Sequence, residues 1–387
     1  MRTLLMIAIC VLCQQTALAQ FPDDSVKSKP IQVSFIHPIG IYGNASIHQK
    51  NYLSFNIIYG INGGLTGFEF GGIANKNLGD VSGLQIAGIA NNNLGSVNGI
   101  MISGLINQVK DSAYCVGIAG LTNRYGKSGG GLQIAGLSNN VDGAFTGLQA
   151  AGLRNKAKGT FNGFQVSGLS NYNHGNFYGM QVSGISNMNS GNLSGLQIGL
   201  INRASIVGGM QIGLINIAKK YEYGIPIGFL SIVSEGFNAI DLSYNETVQY
   251  NATLKLGVDH FYNIFKFGYT PKSTEALYTY GIGAGSMVNL TEYFKISVDL
   301  STSYVTEKYF KPSVNFLTEG QLNLRYHILN NIGLLAGPSL NMYVSEFDDA
   351  GQTLLTVPKP LYDQNWWYNG GKTQFWIGYN LGISVMF

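Results

Sequence analysis

Charge is what this 387-residue chain has least of. Lys, Arg, Asp and Glu together make 11% of it, against about 25% in a soluble globular domain. The 23 basic and 20 acidic residues nearly cancel, and the net charge of +3 is too small for the basic footprint of a nucleic-acid binder. Cysteine is scarce as well. Cys10 and Cys13 fall in an N-terminal leader, so the mature chain keeps only Cys115 and no internal disulfide can form. Beyond the leader no run of 18 or more apolar residues occurs, which excludes a transmembrane helix. The five histidines, His37, His48, His174, His260 and His327, are scattered without metal-ligand spacing. What abounds is Gly (52), Tyr (23) and Phe (20). That composition argues against an ordinary cytosolic enzyme, whereas a closed β-barrel can enter a membrane without any helix.

Residues 1–19 read as a secretory signal. Arg2 supplies the positive charge, Leu4 to Leu12 the short apolar core, and Ala17-Leu18-Ala19 the cleavage site before Gln20. Neither leader cysteine reads as a lipid acceptor, because Ile9 and Leu12 precede them where a small residue is needed.

From Gly67 to Ser231 a unit recurs that can be written G-h-Q-h-x-G-h-x-N-x-x-x-G-x-x-x, with h apolar. Its Asn falls at Asn75, Asn91, Asn107, Asn123, Asn139, Asn155, Asn171 and Asn187, always 16 residues apart. Shorter units follow, marked by Asn202, Asn216 and Ser231, and Gln85, Gln133, Gln149, Gln165, Gln181, Gln197 and Gln211 keep step. One unit departs, with Cys115 where the first Gly belongs. A unit this short cannot bury a core alone, so neighbours must stack. The repeat predicts a β-solenoid over 67–231, about eleven coils at roughly 4.8 Å each and so about 50 Å long. Stacked coils would align the Asn and Gln amides in ladders. Leu132 and Ile134 share one strand face, and after the bend at Gly136 the expectation is that Leu137 points inward again. The competing arrangement is one membrane strand per unit, which would repeat as hairpins with alternate turns differing. Between Lys158 and Arg203 no charged residue occurs. Either amide-rich faces are well solvated, or part of this surface docks on a partner, a glycan or the membrane half of the chain.

The flanks alternate with period two, the mark of strands with one wet and one apolar side. Counting back from Phe387, the residues Val385, Ile383, Leu381, Tyr379, Ile377 and Phe375 oppose Met386, Ser384, Gly382, Asn380, Gly378, Trp376 and Gln374. This exceeds the ~9–11 residues of a bilayer-spanning strand. Further strands are expected at 236–245, 249–259, 262–270, 275–290, 294–304, 315–328 and 331–345, making eight over 236–387. Residues 31–61 add two more, with Ile31, Val33, Phe35, Leu53, Phe55, Ile57 and Tyr59 on the apolar side. The sequence thus predicts an all-β chain: a ten-stranded outer-membrane barrel with the 16-residue-repeat solenoid inserted after its second strand. A soluble two-sheet sandwich would share the alternation. Loop lengths place 345–374 and 306–313 outside, the turns at 289–292 and 330–331 in the periplasm, and the solenoid on the periplasmic face.

The repeats Gly131 to Asn139 and Gly195 to Asn202 resemble the surface-repeat family first noted in leptospiral outer-surface proteins and common in Bacteroidota. The resemblance covers most of the mature chain and implies the cell envelope, with no agreed activity and no site residues to transfer. The terminal Phe387 resembles the signal by which the barrel-assembly machinery of Gram-negative bacteria recognises outer-membrane barrels.

Chemistry is sparse. Gly126-Lys127-Ser128-Gly129-Gly130 matches the nucleophile pattern G-x-S-x-G but lies in a repeat turn without a strand-to-helix elbow. Gly281-Ile282-Gly283-Ala284-Gly285 sits inside a barrel strand with no helix after it. No catalytic, cofactor-binding or metal residue is assigned. The expected lumen holds Asp241, Lys255, Lys266, Lys295, Asp299, Glu319, Arg325 and His327. These charges would form a salt-bridge plug or line a thin channel. The loop 345–374 combines Asp348, Asp349 and Asp363 with Trp366, Trp367 and Tyr368. This is a calcium or glycan contact or an ordinary membrane rim. Two functions stand: a non-enzymatic envelope scaffold, or a narrow channel for small polar solutes. A hydrolase is a distant third, since 345–374 holds Ser345 and no His. The expected partners are outer-membrane lipid, the assembly machinery, and an envelope protein or glycan on the repeat face.

Overall fold

Strands make up 75% of the chain, and the computed structural model describes residues 27–272, 276–307, 313–329, 331–347, 352–366 and 370–387. Residues 1–19, the expected leader, lie outside them. By its contacts the chain forms two compact units, one ending at Ala135 and one running from Gly136 to Phe387. Between them they carry about ten solenoid turns and one closed barrel of eight strands.

Within the first unit each repeat is one coil made of a long and a short strand. Val81–Ala87 and Ala90–Asn93 are followed by Val97–Ser103 and Ile106–Val109. Pairing is parallel and in phase with the repeat, Gln85 beside Met101 and Asn91 beside Asn107. The second unit repeats the pattern: Phe145–Ala151 and Arg154–Ala157 pair with Phe161–Ser167 and Ser170–Asn173. Its last coils merge into one long strand, Ile201–Val233. The first Gly of the unit is fixed by geometry. Gly163 has φ +131, and a Cβ there would collide with the Gly147 carbonyl of the coil before, so only glycine fits.

The coils are turned the other way from the expectation. Gln133 is fully buried, while Ile134 and Leu137 are exposed. The repeat Asn and Gln side chains all point inward. An amide placed at every turn finds its partner one coil away, so a polar column satisfies itself. It also supplies donors to corner carbonyls such as Ile86 O, which takes one from Asn75 Nδ2.

The ten-stranded barrel is corrected to eight. Lys27–Ile36 pairs in parallel with Gln49–Asn62, which pairs in parallel with Gly64–Gly71 and Ala74–Asn77. Sequential staves of an up-and-down barrel must run antiparallel. These two strands instead begin the coil stack. Their wet faces are the buried ones: Ser34 donates to Asn56 Oδ1 and Asn56 Nδ2 to Asn75 Oδ1, whereas Val33, Phe35, Phe55 and Ile57 are exposed.

The barrel comprises β1 (Phe237–Asn245), β2 (Tyr250–Val258), β3 (Phe261–Thr270), β4 (Leu277–Asn289), β5 (Phe294–Thr306), β6 (Asn315–Leu329), β7 (Ile332–Glu346) and β8 (Gly371–Met386). All neighbours are antiparallel, and β1 closes on β8 with Asp241 opposite Ser384. A short strand, Tyr362–Asn365, lies on the same β8 edge above β1. The connections at 259–260 and 290–293 lie at one end of the barrel, where β6 also ends at Leu329 and β7 begins at Ile332.

Candidate functional site

Alternation decides which side chains enter the lumen. Along β1 the residues Phe237, Ala239 and Asp241 are buried, while Ile240, Leu242 and Tyr244 face outward. The same parity on β2, β3, β5 and β6 brings six of the eight predicted lumen residues together in two clusters. In the first, Arg325 grips Asp241 through both carboxylate oxygens, at 2.6 and 3.2 Å. Lys255 Nζ lies 2.9 Å from Asp241 and 2.7 Å from Asp299. Arg325 also donates to Ser297 Oγ and Ser384 Oγ. Asp299 accepts from Tyr262 Oη and Asn323 Nδ2. In the second cluster Lys266 pairs with Glu319, which also accepts from Asn245. Three cations meet three carboxylates, so each buried charge has a partner, as a low-dielectric interior demands.

Lys295 and His327 stand apart. Lys295 is half-buried and enters no ion pair among the described residues. His327 Nδ1 lies 3.3 Å from the carbonyl of Tyr293 near the short-turn end.

Both lumen ends are filled. At the short-turn end Phe237, Tyr262, Ile264 and Met287 form an apolar cluster, with the Arg325 guanidinium over the Phe237 ring at 5.8 Å. At the other end Trp376, Tyr343, Val305 and Leu317 pack around Leu355 of the long loop, with Leu354 and Val357 against them. Trp376 Nε1 donates to Glu246. Sequence reasoning missed Leu355 and Glu246, which lie outside any strand. Trp376 was visible as the one large residue on the wet face of β8. Asp363 of the loop bonds Lys372 at 3.2 Å and Gln374 at 2.8 Å. Trp366 Nε1 bonds Thr373 Oγ1. Asp348, Asp349, Trp367 and Tyr368 lie outside the described residues, and no metal-holding cluster occurs among those described.

The amide columns are the second arrangement. In the first unit Asn75, Asn91, Asn107 and Asn123 hand a hydrogen bond from coil to coil at 3.0 Å. In the second, Asn139, Asn155, Asn171, Asn187, Asn202 and Asn216 do the same at 2.9–3.0 Å. Each also donates to a carbonyl of the following turn, as Asn171 does to Val182 O. Gln149, Gln165, Gln181, Gln197 and Gln211 form a parallel column, ended by the Tyr221 hydroxyl.

The first unit breaks the Gln column. Met101 and Gly117 stand in its place, and at Gly117 the Tyr125 ring fills the space, its hydroxyl 3.0 Å from Cys115 Sγ. Burial pushes the Cys115 thiol up to about 11, which leaves it unreactive. Two coils before Met101, Glu69 takes the Gln position and accepts from Asn56, Asn62, Asn77 and Gln85. Burial raises its carboxyl above the usual range while the amide donors pull the other way. The 16-residue phase marks Glu69 in the sequence, sixteen before Gln85.

No family model, no curated protein and no solved structure matches this chain.

Proposed function

We propose that this chain is an outer-membrane protein whose barrel anchors a β-solenoid as a scaffold or binding surface of the cell envelope, without enzymatic activity. The observation that carries the reading is the distribution of the barrel's side chains. Its outer wall is apolar through Leu300, Leu322, Leu340, Ile377 and Leu381, while a charge-balanced network fills the inside. Aromatic pairs gather on the wall near the long-loop end, Tyr244 with Tyr250, Tyr269 with Tyr278, and Tyr304 with Phe316. Phe294 and Tyr326 pair near the other end. Two aromatic bands around an apolar zone fit the interfaces of a bilayer.

The export signal expected at 1–19 supports an envelope address. The surface-repeat resemblance points to the same compartment. Short turns face the periplasm in such barrels, and the 234–236 link to the solenoid is on that side, so the repeats join at the periplasmic end. The polar part of their outward surface is the face offered to an envelope protein or glycan.

The packed lumen favours an anchor over a channel. Purified protein reconstituted in planar bilayers should insert and give no discrete openings. Sustained unitary currents would replace this reading with the narrow solute channel. Protein that remained monodisperse in buffer without detergent would remove the membrane barrel altogether.

A further inference from the structure

In the second unit the outward apolar positions of the repeat form unbroken columns. Leu137, Leu153, Leu169, Ile185, Leu200 and Leu214 stand one above another at the corner of successive coils, each 44–52% exposed. Phe164 and Val166 extend the same face along the long strand. In the first unit Ile73 and Leu121 occupy that corner, also exposed. Water on such a face is costly, at roughly 25 cal/mol per Å² of apolar surface.

The backbone beneath these columns is already paired. Leu153 N bonds Leu137 O, Leu169 N bonds Leu153 O, and Ile185 N bonds Leu169 O, at 3.0–3.1 Å. A surface with its amides paired and its polar side chains turned inward meets the condition that hydrocarbon sets for protein backbone. On the neighbouring short-strand face Lys156 and Arg203 stand in one register row with Tyr172 and Met188 between them, and Arg154 stands two residues before Lys156 in the next row. Cations beside an apolar face match the arrangement of elements that lie on anionic lipid.

What the face joins decides the occupant. Phe229 continues the corner column and packs edge-on against Phe265, whose ring points out from the barrel wall, with centroids 5.4 Å apart. Two residues before Phe265 on β3, Asn263 also points outward, yet it is only 5% exposed and donates to Gly228 O at 2.6 Å. The last coil of the second unit is thus seated on the outside of the barrel wall, and its corner column meets the wall's own apolar surface there. A hollow of about 730 Å³ lined by Leu254, Phe265, Phe267, Tyr280 and Ile282 opens beside this junction.

We infer that the apolar face of the second unit's coils lies against the lipid that surrounds the barrel, seating those coils on the membrane. The inference rests on the barrel being in a membrane, and the test separates the two. Single nitroxide labels are placed in the chain without residues 1–19, in a Cys115→Ala background that leaves no other cysteine, and the protein is reconstituted in phospholipid vesicles. The corner column is labelled through Leu169→Cys and Leu200→Cys, the barrel wall through Leu300→Cys and Leu322→Cys, and the exposed turn through His174→Cys. Collision with oxygen and with a water-soluble nickel chelate is then measured. Corner labels that match the barrel-wall labels, favouring oxygen and excluding nickel, are the expected result. Corner labels that collide with nickel as the His174→Cys label does, while wall labels do not, overturn this inference alone. Corner labels shielded from both reagents overturn it in favour of a second copy or another protein on the face. Wall labels that collide freely with nickel overturn the membrane reading and this inference together.

Discussion

The ring of Tyr125 occupies the interior space that a side chain at Gly117 would need: a Cβ built on Gly117 runs into the Tyr125 hydroxyl. The next repeat writes Gln133 and Val141 at the same two positions, so two departures from the repeat compensate each other. Gly117→Gln alone should overpack the coil and cost about 1–3 kcal/mol. Adding Tyr125→Val should recover most of that loss. Chemical denaturation of both variants measures the coupling, and additive losses would mean that the two positions are independent.

Asn171 accepts from Asn155, donates to Asn187 Oδ1 and donates to Val182 O. Asn171→Ala strands all three partners inside the coil stack. At about 1–3 kcal/mol per orphaned group, the expected loss is on the order of 3 kcal/mol or more. The exposed Asn162→Ala, one coil position away from any column, should stay within about 0.5 kcal/mol. Equal effects on the unfolding midpoint would show that the amide column contributes nothing beyond surface polarity.

The architecture could be read from the chain wherever spacing or parity carried it. The 16-residue phase located the coils, and alternation from Phe387 backwards located β8 and its neighbours. Alternation has no direction, however, and that is where the reading slipped. Ile31, Val33 and Phe35 face outward on a coil as they would on a barrel stave; only the partner strand tells the two apart, and it is parallel. Likewise Gln133 and Ile134 occupy opposite faces in either orientation. The inward choice falls to the amide because most coils bring another polar group to the same depth, as Gln149, Gln165 and Gln181 do in the second unit. Parity also placed Asp241, Lys255, Lys266, Asp299, Glu319 and Arg325 in one lumen. Their pairing across strands such as β1 and β6 depends on barrel closure, which no local pattern encodes.

Glu69 makes the first unit pH-sensitive. Burial raises its carboxyl above the ordinary 4.5, so the folded chain holds a proton that the unfolded chain releases at the same pH. Its contribution is therefore complete below the ordinary carboxyl range and is lost as pH rises through the raised value. Glu69→Gln restores the amide used at Gln85 and has nothing to titrate. Across denaturation curves from acid to neutral pH, the parent should lose stability relative to the variant. A constant difference between them would show that Glu69 titrates normally.

Arg325 is the hub of the lumen network, with Asp241, Ser297 and Ser384 on its guanidinium and Phe237 below it. Arg325→Met leaves Asp241 with Lys255 alone in a dry interior, and removal of one partner from such a pair costs about 3–5 kcal/mol. Arg325→Lys should lose nearly as much, because an ammonium cannot reproduce the two-oxygen grip. Replacing both members with apolar residues, Arg325→Met with Asp241→Leu, removes the stranded charge and should unfold later than Arg325→Met alone. The temperature at which the barrel loses its compact form on detergent gels ranks the three. A double variant weaker than Arg325→Met would mean that Lys255 and Asp299 depend on Asp241 more than on overall charge balance, since Lys255 bridges both carboxylates.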